Sequence, residues 1–308
     1  MELRQMRYFV RVVEMGSMGR AALDLDVVTS ALSQQISRLE NELGTRLLRR
    51  TSTGVVPTDA GLAFWHQAQL ALRHADDAIS AAQHARLSGH VSVGLAPSTM
   101  GVLGLPFLNT MRERYPDVRL RMVESLSGDL SLLLERRKID LAILFQRDAA
   151  HRFSAIPLLD ERLFAIAAST FKGMPAGETA PLATFAALPL ILPSSSHGLH
   201  GLVMGGFARH GHAPQLIAEI DGLAMLMDAV ASGVGVTIQP GAALARRDRS
   251  IFRAIALDDE NLFRPNILVS LSDDELSPAA LAARVVIAEI TQNLVKQRAW
   301  AGASLHKP

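Results

Sequence analysis

Residues 30 to 41, SALSQQISRLEN, set Ser30, Gln34, Ser37 and Asn41 at intervals of three and four. At 100° per residue these four lie about 140° to 200° from Leu32, opposite the apolar stripe Leu32, Ile36, Leu39 and Leu43. Such a helix has an outer side that is neutral and rich in hydrogen-bond donors and acceptors. Two environments suit it. One is water. The other is the row of base edges in a DNA major groove, where Gln and Ser make directional hydrogen bonds without burying a lone charge. Its neighbourhood favours the groove. Arg46, Arg49 and Arg50 follow in TRLLRRTSTGVVPT, which reads as two short strands around a Ser-Thr-Gly turn. A basic hairpin beside a polar helix can neutralise phosphates while the helix reads bases, whereas the arginines taken alone read equally as a surface charge cluster.

A second set of polar residues stands at strand ends in the later chain. APSTMG puts Ser98 and Thr99 just after an apolar run, LPSSSHGLHG puts Ser194 to Ser196 and His197 after another, and EIDGLAMLMDAV starts a helix at Gly222 or Leu223. Helix N-termini at such places offer free N–H groups and partial positive charge to an anion, although a hydroxyl there also serves as an ordinary N-cap. Convergence of three such ends favours a ligand. Arg147 and Arg152 are further carboxylate candidates, with solvated loop arginines as the alternative. His197 with His200, and His210 with His212, have spacings a metal can use, but neither pair has a Cys or a clear carboxylate partner, so no metal is expected. No cofactor is expected either. The sequence has no G-x-S-x-G, no P-loop and no H-E-x-x-H, and its acidic runs at Asp258 to Glu260 and Asp273 to Glu275 read as solvated turns. An enzyme is not expected.

The elements that must position these residues follow from periodicity. Leu3, Met6, Phe9, Val10 and Val13 define a helix over 3–15 ended by Gly16; Ser17 caps a short second helix; Asp26 to Val28 turn; and Thr29 or Ser30 caps the third. From Thr58 a run of about 30 residues, with no Pro beyond its start, carries a seam of Leu62, Trp65, Ala68, Leu72, Ala75, Ile79, Ala82 and Ala85. That seam must bury against its own domain or against another chain. His66, His74 and His84 on this helix are spaced by eight and ten and do not align as ligands. Beyond Ser88-Gly89-His90 the pattern turns to strands at 91–97, 120–125, 141–145, 163–169, 188–194, 216–221, 235–240 and 266–272, with helices at 99–114, 128–137 and 278–297. This alternation predicts parallel sheets in two lobes.

Composition sets the bounds. The 308 residues suffice for about two domains, and 49% hydrophobic with 20% charged residues describes a globular chain. A formal net charge of +1 gives no whole-molecule field for nucleic acid or membrane, so any such binding is local. MELRQMRYF has charges where a secretory signal needs an apolar core, no apolar run approaches a membrane span, and cysteine is absent; a cytoplasmic protein without membrane contact is expected.

The run AALDLDVVTSALSQQISRLENELGTRLLRRTSTGVVPTDAG resembles the DNA-binding signature of the LysR-type transcriptional regulators, with its Ala-Leu-Ser core, Leu-Glu pair, Leu-Leu-x-Arg wing and Thr-x-Ala-Gly. Where members commonly carry Ser-Gln-Pro, this chain has Val28, Thr29 and Ser30. The resemblance spans nearly the whole chain, with a looser likeness to the nitrogen-assimilation-control branch. It implies an α plus α/β architecture: a winged helix-turn-helix over 1–58, a linker and dimerisation helix over 59–88, and over 89–308 an effector domain of the type 2 periplasmic-binding-protein fold. The first lobe would hold about 89–161 and 264–300, the second 162–263. By position it assigns DNA binding to Thr29, Ser30, Ser33, Gln34, Ser37, Arg38, Arg49 and Arg50, and effector binding to Ser98, Thr99, Phe145, Ser194 and His197. The partners implied are a pseudo-palindromic double-stranded operator, a small and anionic effector, a second copy of the chain with a tetramer beyond it, and RNA polymerase. The rival readings are a cytoplasmic small-molecule-binding protein, which leaves the first 87 residues unexplained, and an α/β enzyme with a helical extension.

Overall fold

The structure is a computed structural model and describes residues 1–51, 54–83, 87–145, 153–259 and 261–306. The Ser52-Thr53 wing turn, His84, Ala85, Arg147, Arg152 and Glu260 lie outside the described residues. The chain divides into two compact units, Met1–Gly89 and His90–Pro308.

In the first unit, α1 (Leu3–Met15), α2 (Met18–Asp24) and α3 (Thr29–Leu43) precede a hairpin of β1 (Leu48–Thr51) and β2 (Gly54–Pro57) and a 25-residue helix, α4 (Asp59–Gln83). Each boundary has a local cause. Gly16, at φ +60°, adopts the left-handed conformation that ends α1, and Ser17 Oγ accepts from Arg20 N to start α2. The cap of α3 differs from expectation: the N-cap is Val28, which lacks a side-chain acceptor, and Thr29 and Ser30 are the first two helical residues. Leu32, Ile36 and Leu39 are buried as their spacing requires, but Leu43 is 38% exposed, because the helix ends at Gly44 before that turn is covered.

Thr58 and Gly61 fasten α4 to the wing. Thr58 Oγ1 accepts from Gly61 N at 3.0 Å and donates to Arg46 O at 2.8 Å. A Cβ at Gly61 would stand 1.9 Å from Leu47 O, so only glycine allows this approach. The apolar seam of α4 is divided. Ala68 and Leu72 are buried within the unit and Trp65 is half-buried against the cluster of Phe9, Ile36, Leu39 and Leu47, while Leu62 and Ile79 remain exposed.

The second unit contains β3 (Gly89–Leu95), α5 (Pro97–Arg114), β4 (Val118–Glu124), α6 (Ser127–Glu135), β5 (Leu141–Leu144), β6 (Ser154–Ala168), β7 (Thr179–Ala180), β8 (Leu190–Leu192), α7 (Gly198–Arg209), β9 (Leu216–Glu219), α8 (Leu223–Ala231), β10 (Thr237–Pro240), β11 (Phe252–Leu257), β12 (Phe263–Ser270), α9 (Pro278–Lys296) and β13 (Ala303–Leu305). The expectation of parallel sheets is corrected here. The main sheet is mixed, in the order β4-β3-β5-β12-β6-β11-β7, with β10 and β13 also paired to β6. β3 and β5 are parallel, as are β8 and β9, but β10, β11, β12 and β13 all run antiparallel to β6.

The cause is the 15-residue strand β6, whose first part pairs with β12 and β13 and whose second part pairs with β10 and β11. The chain therefore passes from one lobe to the other inside a single strand. The first lobe packs Leu130, Leu134, Ala142, Leu144 and Val269; the second packs Leu163, Phe185, Leu192, Phe207, Ile238 and Ile255, with Ile166, Leu226, Met227 and Val230 on its other face. No helix among the described residues is long and apolar enough to cross a membrane.

Candidate functional site

In the first unit, α3 turns its apolar stripe inward and leaves Thr29, Ser30, Gln34, Ser37, Arg38 and Asn41 exposed, with Ser33 half-buried. Arg49 and Arg50 are exposed on β1, opposite Val56 and Val55. Among the described residues none of these polar groups has a hydrogen-bond or ion-pair partner, so their donors are available to an outside molecule. The wing is held to α3 by Glu40. This carboxylate, 6% exposed, accepts from Leu47 N at 2.8 Å, Leu48 N at 3.0 Å and Arg46 Nη1 at 2.8 Å, fixing the hairpin relative to the last turns of α3.

In the second unit, a cavity of about 300 Å³ opens between the lobes, lined from the first by Ser127, Gly128 and Phe145 and from the second by Ser196, His197, Gly198 and Leu199, with Arg264 between them. Beyond Arg264 a smaller hollow, of about 20 Å³, is lined by Pro97, Ser98, Asp221, Leu223 and Gln239. Four helices begin here. The first residues of α6 and α7 line the larger space, and those of α5 and α8 line the smaller. The N-cap residues of α5, α6 and α8 are Ala96, Leu126 and Gly222, and none supplies a side-chain cap. First-turn N–H groups and the positive ends of helix dipoles therefore converge on this space.

The floor is a buried ion pair. Arg264 Nε and Nη2 both donate to Glu161 Oε2, Nη2 also donates to Ser98 Oγ at 2.9 Å, and the guanidinium lies 3.9 Å from the Phe145 ring centroid. Asn266 Nδ2 adds a third donor to Glu161 Oε2 at 2.8 Å, and Trp300 Nε1 donates to Oε1 at 2.7 Å. Arg264 is 4% exposed and Glu161 fully buried, so the pair is locally neutral. His197 caps α7, its Nδ1 accepting from Leu199 N at 3.2 Å. Burial, with the Arg264 charge in addition, pulls the His197 pKa below 6.5. The neutral ring, with Nδ1 as acceptor, carries its proton on Nε2. Asp221 accepts from Ser194 N at 2.8 Å, and this bond lowers its pKa.

Family models match both units. Residues 3–62 match the bacterial regulatory helix-turn-helix protein, lysR family, and residues 84–293 match the LysR substrate binding domain. The chain belongs to the LysR family of transcriptional regulators. It is 31% identical over 309 residues to the nitrogen assimilation regulatory protein nac of Escherichia coli, covering 97% of this chain and 99% of that protein. Among solved structures, full-length CbnR complexed with its target DNA aligns with a TM-score of 0.63 at 22% identity, covering 94% of this chain and 100% of that one. A full-length OxyR variant of Pseudomonas aeruginosa aligns at 0.73 and 21% identity, covering 100% and 99%; both are likenesses of fold. The homologues are regulators, and this LysR-family chain is a transcriptional regulator, not an enzyme.

The residues expected to act in this LysR-family effector domain separate in the structure. Ser98, Phe145 and His197 gather around Arg264. Thr99 is fully buried in the first turn of α5, its Oγ1 without a partner among the described residues, and neither it nor Ser98 caps the helix. Ser194 is drawn to Asp221, and its Oγ meets Ser196 Oγ at 2.8 Å. His200 Nδ1 lies 2.9 Å from Pro193 O rather than facing His197. Glu275, expected in a solvated turn, is ion-paired with Arg137 at 2.6 Å, and Asp273 with Arg284. Sequence reasoning missed Arg264, Glu161, Asn266 and Trp300. The available signal was charge inside two apolar strand runs, Asp160, Glu161 and Arg162 in LLDERLF and Arg264 in FRPNILV.

Proposed function

We propose that this regulator reads a pseudo-palindromic operator through Thr29, Ser30, Ser33, Gln34, Ser37 and Arg38 of α3, while Arg49 and Arg50 neutralise phosphates, and that an anionic metabolite in the cleft biases the outcome. The observation that carries the reading is the exposed polar outer side of α3 beside Arg49 and Arg50 of the wing, all without a hydrogen-bond or ion-pair partner among the described residues. Two copies are joined through α4, whose exposed Leu62 and Ile79 continue the seam, and pairing of dimers gives a tetramer. The protein works in the cytoplasm with its DNA, and RNA polymerase is its partner at promoters. For the cleft, the effector is an anion because converging helix N-termini leave positive potential that the Glu161–Arg264 pair does not cancel. Ser98, Thr99, Phe145, Ser194 and His197 belong to its surroundings, with Arg264 at their centre.

A binding titration at controlled salt tests the DNA assignment after genomic footprinting has located an operator. Gln34→Ala is expected to relax base preference at one position, at a cost of about 1–3 kcal/mol. Arg50→Ala is expected to weaken binding to all sequences alike and to make the salt dependence shallower. Wild-type affinity and specificity in both variants would sink the assignment.

A further inference from the structure

We propose, resting on the cleft reading above, that the effector is an α-amino acid with an apolar side chain, its carboxylate in the larger cavity and its ammonium in the small hollow beside Asp221. The two spaces adjoin. Arg264 and His197 line both, and one guanidinium reaches Ser98 Oγ at 2.9 Å in the hollow and the Phe145 ring centroid at 3.9 Å in the cavity. Their sizes sort the groups of a ligand. A hollow of about 20 Å³ takes one group the size of a water, which needs roughly 10–15 Å³. An ammonium fits there, and a carboxylate, with two oxygens on a carbon, does not. The cavity of about 300 Å³ is left for the carboxylate and the side chain, and Leu144, Leu199, Leu202 and Phe263 give it apolar walls.

The polar groups sort in the same way. Asp221 and Gln239 stand in the wall of the hollow. Asp221 Oδ1 accepts from Ser194 N at 2.8 Å, a bond that lowers its pKa and keeps the carboxylate ionised. Gln239 is 5% exposed, its amide makes no hydrogen bond among the described residues, and neither amide atom is sealed off, so both are reached from the hollow. Turned to present Oε1, this amide accepts from an ammonium as Asp221 does. The starts of α5 and α8 also line the hollow and by themselves disfavour a cation. Each helix end carries about half a charge, so the Asp221 carboxylate offsets both and direct contact decides. The ligand carboxylate is held from the other space. Glu161 and Ser98 use Arg264 Nε and Nη2, whereas Nη1 donates to neither and, with the first turns of α6 and α7, supplies N–H groups to the carboxylate. A diacid would set its second carboxylate against Asp221, and a hydroxy acid brings one neutral donor where an ammonium brings three and a charge.

The experiment measures dissociation constants by isothermal titration calorimetry on the full-length protein. Its probes are L-leucine and L-phenylalanine, with isocaproate and hydrocinnamate as the matching acids that lack the amine. At least one of the two amino acids is expected to bind, about tenfold more tightly than its acid, since Asp221 is exposed and its ion pair is screened by water. Asp221→Asn, which keeps an acceptor for Ser194 N, and Gln239→Met, which keeps the volume, are each expected to cut that preference to about threefold, half of it on a logarithmic scale, without weakening the acid. Melting of the ligand-free variants establishes that each folds, and either one suffices for the test. Equal binding of an amino acid and its acid would overturn the proposal while leaving an anion in the cleft. No binding of either amino acid, or a preference unchanged in both variants, would overturn it too. Failure of the cleft reading itself has another signature. Gly128 lines the larger cavity, and a Cβ there meets no atom within 4 Å; if Gly128→Leu left amino acid and acid binding unaltered, the cleft assignment would fall and the proposal with it.

Discussion

Replacing Glu161 by Gln should unsettle the second unit more than any surface change, and the structure gives the size of the effect. Glu161 is fully buried and its two oxygens accept from four donors: Arg264 Nε and Nη2, Asn266 Nδ2 and Trp300 Nε1. The amide keeps one acceptor and aims its NH2 at either the Arg264 side or the Trp300 side, both of which are donors. Leaving a buried cation without its counter-ion costs about 3–5 kcal/mol. A domain of this size loses about 2–4 °C of melting temperature per kcal/mol, so the expected drop is on the order of 6–20 °C. The assay is thermal unfolding followed by Trp300 emission in a Trp65→Phe background, which isolates this unit from the first. A second variant, Glu161→Gln with Arg264→Met, removes both charges, and since buried pairs replaced by apolar groups are often neutral, it should regain a substantial part of the loss. A Glu161→Gln protein melting within about 2 °C of wild type, or a double variant whose loss is merely the sum of the singles, would refute the ion-pair account.

Three further outcomes are expected. Gly61→Ala places a methyl 1.9 Å from Leu47 O, a backbone atom that cannot rotate away, and should destabilise the first unit by about 1–3 kcal/mol while shifting the wing; circular dichroism melting and a DNA titration check this, and an unchanged melt would contradict the contact. Ser98→Ala removes the hydroxyl that accepts from Arg264 and should raise the effector concentration needed in a reporter assay while leaving DNA affinity intact, so an unaltered dose response would count against the cleft. The His197 pKa is lowered in the fold, so the unfolded chain takes up its proton first as pH falls. Stability of the second unit is therefore lost between 6.5 and the lower folded value, and is constant with respect to this residue above that window. His197→Asn, which retains an N-cap acceptor, should flatten melting temperature across the window, and identical pH profiles would disprove the assignment.

Legibility in the sequence followed periodicity closely. α1 lies at Leu3–Met15 where its spacing placed it, the wing strands lie at Leu48–Thr51 and Gly54–Pro57 with the glycine of the Ser-Thr-Gly turn opening the second, and α9 runs Pro278–Lys296 against an expected 278–297. The crossing strand was only half legible. Pro157, Asp160, Glu161 and Arg162 interrupt the apolar pattern of 154–168, so only its second part looked like a strand, and the antiparallel order that it imposes could not be inferred. β11 was missed because Phe252–Leu257 is short and alternates around Arg253. For the cleft, hydroxyls at strand ends were visible locally, whereas Arg264 and Ser98 are 166 positions apart and become neighbours only through the fold. Arg147 and Arg152 stand outside the apolar runs and so read as candidate counter-charges, whereas the buried Arg264 sits inside a strand, where a single charge is read as a blemish in the pattern.

The neutral floor of the cleft also limits how an effector can act. An anion in the larger cavity meets the start of α6 from the first lobe and the start of α7 from the second. An arrangement with the lobes further apart would keep one of these termini and lose the other. A helix terminus is worth about 0.3–1 kcal/mol to an anion, rising to about 2 in partly buried geometry. The ligand's preference for the closed arrangement is then roughly two- to thirtyfold. Turning a domain from almost wholly open to almost wholly closed requires about 5.5 kcal/mol. Helix termini alone therefore give a graded response in a single copy. Had Arg264 been an unpaired cation, its charge would have enlarged this preference, but Glu161 has already claimed it. A sharp response must come from copies that change arrangement together, each adding its small preference, and its steepness in a reporter assay should fall when the proposed α4 pairing is weakened at Ile79.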